Sequence, residues 1–135
     1  MLLAERLDAL LKFLAVFQDP VFSVGTTVIP PAVDGMVAMP YVRESEAMRD
    51  FVRAVYDAGW CVQFDWGEWQ DEAQRYASSP ELVARADVEV LTKLLTTHVR
   101  RDRFCEGHLA AMAESGHLRA ILERMAVLRS ELQDG

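Results

Sequence analysis

The sequence predicts a mainly α fold of the α+β kind: a compact helical domain with a small two- or three-stranded sheet on one side. Three observations carry this. Apolar residues recur at offsets of three and four along most of the chain, as helices with one buried face require. Two stretches, 21–42 and 60–64, favour strand residues or alternate with a period of two instead. Glycine, proline and short polar side chains punctuate the boundaries. With 135 residues, 51% apolar and 26% charged, the chain is expected to form one domain over 1–135. That size buries a core without disulfides or metals.

Each element has its own reason. Leu3, Leu7, Leu10, Leu11 and Leu14 lay one stripe along a helix over 2–17, and Asp19-Pro20 ends it. Val21, Phe22, Val24 and Thr26 to Ile29 predict a strand, Pro30-Pro31 and Asp34-Gly35 a turn, and Val37 to Val42 a second strand. Met48, Phe51, Val52 and Val55 share a face of a helix over 44–58, which Gly59 stops. Trp60, Val62 and Phe64 alternate with Cys61 and Gln63, predicting a third strand.

Asp65 and Glu68 then resemble a capping box for a helix bearing Trp66, Trp69, Ala73 and Tyr76. Ser79-Pro80-Glu81 starts a short turn of helix, with proline at the first helical position. Asp87 caps a longer helix carrying Val90, Leu91, Leu94, Leu95 and His98. Residues 105–115 predict a short helix ending at Gly116. Leu118, Ile121, Leu122, Met125 and Leu128 mark the last helix, 117–132.

Charge and composition narrow the function classes. The net charge of −7 argues against nucleic acid as a partner, because phosphate recognition needs a basic face. The balance is uneven: residues 1–92 carry 7 basic and 15 acidic groups, residues 93–135 carry 7 and 6. Lys93, Arg100, Arg101 and Arg103 therefore offer a locally basic surface. Two cysteines, Cys61 and Cys105, make no disulfide framework. Glu5, Arg6, Asp8 and Lys12 interrupt the leucine-rich start, so it does not read as a signal peptide or a membrane span. The cytoplasm is the expected location.

The chemistry-bearing residues gather between 98 and 117. His98, Cys105, His108 and His117 are the types that ligate zinc, and a helix over 105–115 would set Cys105 and His108 on one face. Their spacing matches no familiar zinc pattern, and the plainer reading is a buried cysteine with separately bonded histidines. The pair could also act as thiolate and imidazole, with Asp102 orienting the ring. Arg101, Asp102, Arg103, Glu106 and His108 form a charged helix junction that suits a small anion or a protein partner. Its plainer reading is ion pairing that pins two helices. Trp60, Trp66 and Trp69, with Phe64 and Tyr76, could stack a planar ligand but read more simply as core. Asp65, Glu68 and Glu72 could hold a hard cation, although capping and a solvated face explain them. Phosphate-loop, nucleophile-elbow and zinc-protease motifs are missing from the sequence.

The segment LTKLLTTHVRRDRFCEGHLAAM (91–112), the following ESGHLRAILERM and the upstream FDWGEWQDEAQRY together resemble a family of short bacterial proteins of unknown function. The resemblance covers about 37–128. It implies a bacterial, self-contained cytoplasmic domain and carries over no activity or site residue. The sequence is therefore read as a non-enzymatic binding or regulatory module without a cofactor, its surface at Arg101, Asp102, Arg103, Glu106 and His108. Two alternatives stand beside it. One is a zinc protein or metal- or cysteine-dependent hydrolase using His98, Cys105, His108 and His117. The other is a homodimer built on the stripes of the terminal helices.

Overall fold

In the computed structural model of the chain, the described residues are 2–19, 25–28, 35 and 41–134. Helices dominate: α1 (Leu3–Leu11), α2 (Leu14–Gln18), α3 (Glu46–Asp57), α4 (Gln70–Ala77), α5 (Pro80–Val83), α6 (Val88–Asp102), α7 (His108–Glu114) and α8 (His117–Asp134). Strands β1 (Gly25–Val28) and β2 (Tyr41–Glu44) pair antiparallel, with Gly25 opposite Glu44 and Val28 opposite Tyr41.

The expected sheet reduces to this one ribbon among the described residues. Residues 21–24, Ile29, the Pro30-Pro31 turn, Asp34 and 37–40 lie outside them. The third strand, 60–64, does not form, and the reason is a contact from α6. Thr96 on α6 accepts a hydrogen bond from Val62 N at 3.0 Å, and its oxygen lies 3.2 Å from Trp60 O. The same hydroxyl lies 2.8 Å from Thr92 O, so its one hydrogen is shared between two carbonyls while its oxygen satisfies the Val62 amide that a neighbouring strand would otherwise have to pair. Trp60 is fully buried while Val62 is exposed, so the alternation did not mark two faces of a strand.

The helix expected over 2–17 is two helices. The chain turns at Lys12 and Phe13, where Phe13 N donates to Leu10 O. Beyond the turn, Phe13 and Phe17 both pack on Phe51 of α3, with ring centroids 5.5 and 5.1 Å apart. A helix also begins later than Asp65 suggests. Asp65 Oδ1 accepts from Glu68 N at 3.4 Å, but it closes a turn over 65–68, and α4 starts at Gln70.

Other boundaries follow the local chemistry. Ser45, Ser79 and Asp87 cap α3, α5 and α6 by accepting from Met48 N, Leu82 N and Val90 N. Each satisfies a first-turn amide that has no helical partner. Gly59, at φ 77°, ends α3 in the left-handed region.

The core lies between α1, α3, α6 and α8, around Leu7, Leu10, Phe51, Val55, Trp60, Leu91, Leu94, Leu95, Leu118, Ile121 and Leu122. α8 packs on α1, α2, α5 and α7. The stripes of the terminal helices are thereby consumed within the chain. Arg6 adds a polar clamp: its Nε and Nη2 donate to Ala58 O and Gly59 O at 3.1 and 3.0 Å. Its guanidinium lies 4.3 Å from the Trp60 ring centroid, and Trp60 Nε1 donates to Arg6 O at 2.8 Å. α1 is thus tied to the end of α3.

Candidate functional site

The three histidines are brought together by helix order. α6 delivers His98 in its last third, on the face that also buries Leu91, Leu94 and Leu95. A loop then reverses the chain, so that His108 opens α7 and His117 opens α8. Gly107 makes the reversal at φ 85°, a conformation glycine adopts without the Cβ clash. Asp102 Oδ1 reaches across the loop to accept from Leu109 N at 2.9 Å, capping α7.

His98 is the centre of the arrangement. Its Nδ1 lies 3.0 Å from His108 Nε2, and its Nε2 lies 2.9 Å from His117 Nε2. The His98 and His117 rings stand edge to face at 87°, while His108 is tilted by 35°. His98 and His117 are buried and His108 is half-buried. Among the described residues neither outer Nδ1, of His108 or of His117, has a hydrogen-bond partner, yet no buried side-chain nitrogen or oxygen is left unsatisfied there. Both outer nitrogens are therefore reached by solvent. The result is a line of three hydrogen-bonded imidazoles with an outer nitrogen left over at each end.

The electrostatics keep the line neutral. Burial pushes the His98 pKa well below the ordinary value, reinforced by His117, His108 and Arg101. Burial, then His108, lowers His117 to about 4. His108 is lowered by burial and by Arg101, with Asp102 opposing. A neutral imidazole has one N–H and one lone pair. His98 must therefore donate to one neighbour and accept from the other.

At the far end, His117 lines a cleft of about 150 Å³ with Tyr76, Pro80, Ser115, Arg119 and Glu123. Ser115 Oγ donates to Met112 O and accepts from His117 N. Arg119 Nε lies 3.6 Å from Glu123. A more open groove of about 440 Å³ continues along α8 past Pro80, Ala84, Ala120, Arg124 and Val127. Another, of about 570 Å³, lies apart between α1, α2 and α3, over Ala9, Phe13 and Ala54.

The residues singled out in the sequence separate into two groups. His98, His108 and His117 converge. Cys105 does not share a helix with His108, because α7 begins only after the left-handed Gly107, and its side chain is exposed. Among the described residues no three His, Cys, Asp or Glu side chains are placed to hold a metal ion. His98 shows a different nitrogen to each neighbour, which accounts for this. Arg101 and Asp102 are half-buried beside His108, whereas Arg103 and Glu106 are exposed. Trp60 is core. Trp66 stacks at 5.9 Å on Phe104, which is 77% exposed. Glu72 pairs with Arg75 at 3.0 Å.

Residues 2–131 match the profile of a family described as a family of unknown function, DUF6508. The chain belongs to this family. No curated protein and no solved structure matches this DUF6508 member. No helix among its described residues is long and apolar enough to cross a membrane.

Proposed function

We propose that this DUF6508 member is a small non-enzymatic binding module whose ligand is a small oxyanion, a carboxylate or a phosphate, held in the cleft at the start of α8. The observation that carries the reading is the buried His117, which lines the cleft beside Arg119 and Ser115. A neutral Nδ1–H is a donor, Arg119 brings positive charge, and the first turn of an 18-residue helix favours an anion. The cleft volume suits a few heavy atoms and is below that of a drug-sized site. Ser115 gives its hydrogen to Met112 O, so His117 does not hold it as a nucleophile. Arg101 and Arg103 form a second charged approach at the His108 end. The RFCEGH and FDW segments support a bacterial cytoplasmic setting.

Titration with acetate and with inorganic phosphate, followed by calorimetry and amide NMR, tests this. His117→Phe should weaken binding by about tenfold or more, the loss of one hydrogen bond to a charged group. Binding unchanged by H117F would refute the cleft as the site.

A zinc-class ion is the second reading, favoured by imidazoles from three helices, the two outer rings each within 3.0 Å of His98. It requires His98 to turn so that one nitrogen faces both neighbours. Near-stoichiometric zinc in untagged protein, lost in His108→Ala, would favour it over the oxyanion.

A further inference from the structure

We infer that His108, His98 and His117 form a proton relay through the protein, whose direction is set by what occupies the cleft. The inference deepens the cleft reading and rests on it only for the ligand at the His117 end. Two hydrogen bonds join three rings, and the middle ring uses both nitrogens. With all three neutral, only two arrangements satisfy both bonds. In the first, His108 Nε2–H donates to His98 Nδ1, His98 Nε2–H donates to His117 Nε2, and His117 carries its single N–H on Nδ1. In the other, every bond is reversed: His117 Nε2–H donates to His98, His98 Nδ1–H donates to His108, and His117 Nδ1 is a lone pair.

The two arrangements interconvert without turning a ring. A proton from solvent adds to His108 Nδ1. His108 Nε2–H then passes to His98 Nδ1, His98 Nε2–H passes to His117 Nε2, and His117 Nδ1–H leaves to an acceptor in the cleft. One proton enters and one leaves, and each ring ends neutral as the opposite tautomer. The open Nδ1 at each end supplies the entry and the exit. Since each passage reverses the direction, the line moves one proton and must be reset before it moves another.

An occupant of the cleft selects the direction. A carboxylate or phosphate accepts a hydrogen bond and so favours the first arrangement, with His117 Nδ1–H pointing at it. His108 Nδ1 then presents a lone pair beside Arg101 and Asp102. A donor in the cleft favours the reverse and turns His108 Nδ1 into a donor. The two surfaces of the protein are coupled by tautomer alone, through a buried ring that touches neither.

Ring nitrogen NMR of uniformly ¹⁵N-labelled protein near pH 7 tests the relay, because the shifts distinguish N–H from lone-pair nitrogens in each ring. The free protein should show one of the two matched patterns, or averaged shifts that move together in all three rings. A mismatched pattern, such as His98 Nε2–H with His108 Nδ1–H, would overturn the relay with or without a ligand. Sodium acetate should move all three rings together toward the first arrangement. A shift confined to His117 would overturn the coupling. Matched rings that ignore both acetate and phosphate would sustain the relay while refuting the oxyanion reading of the cleft.

Discussion

His98 illustrates how one residue can be legible by type and not by role. The sequence marks His98, His108 and His117 as neighbours along the chain, and their convergence is borne in the reversal at Gly107. The missing information was which nitrogen each ring offers, which depends on helix phase and on the loop between α6 and α7. A helix over 105–115 would group Cys105 with them. Gly107 at φ 85° delays the helix and leaves the thiol outside.

The neutrality of the rings carries a pH dependence. His117 is lowered to about 4 in the folded chain, against an ordinary value near 6.5 when unfolded. Above about pH 6.5 both states are neutral and the group has no effect on stability. As pH falls from about 6.5 to about 4 the unfolded chain binds the proton first, so stability is lost, by roughly 3 kcal/mol from this ring. His98, held down in the same direction, adds to the loss. The charged groups near the line, Arg101 and Asp102 at one end and Arg119 and Glu123 at the other, have mixed signs. Urea unfolding at pH 7 and pH 4.5 should show the loss, and equal stability at the two would contradict neutral burial. Arg6 makes a separate prediction. Arg6→Ala removes two donors from the end of α3 and a cation from the Trp60 face, and should cost about 2 kcal/mol in the same assay.

At the scale of elements, the boundaries at Gly59, Ser79 and Asp87 follow from the sequence, and the absence of a strand at 60–64 does not. Asp87, Ser79 and Gly59 act where the sequence places them, because each works through its own few neighbouring residues. Trp60-Cys61-Val62 misled because its period of two arose without a partner strand. A threonine 34 residues beyond Val62 satisfies that backbone, and no local pattern announces it. Thr96→Val keeps the shape and removes the bonds. It should destabilise by about 1–3 kcal/mol by leaving Val62 N without its acceptor. Asp102→Ala should cost about 1 kcal/mol through the loss of the α7 cap. It should also loosen the His108 end, visible as faster amide exchange over 105–110. A variant with unaltered exchange there would show that the cap does not organise the loop.

For the whole molecule, α8 is the organising element, since α1, α2, α5 and α7 all pack on it. Arg129 on α8 bonds Asp8 on α1 at 2.9 Å, 121 residues away in sequence. α1 and α8 contribute to one core, and their leucine stripes serve it. Leu7 and Leu10 are fully buried there. Leu7→Ala and Leu10→Ala should each cost about 2–5 kcal/mol, by cavity formation in the centre of the fold. The same packing holds the three helices that bear the histidines, so their line depends on the whole fold and not on the 98–117 segment alone.

The most direct test of that line is a pH titration of each histidine ring by NMR, assigned residue by residue in the folded protein. A bonded, buried and neutral line requires that none of the three titrates as a solvated histidine. His117 should take its proton near pH 4, and His98 should stay neutral well below the ordinary histidine range. Three rings titrating independently near pH 6.5 would contradict the account at its centre.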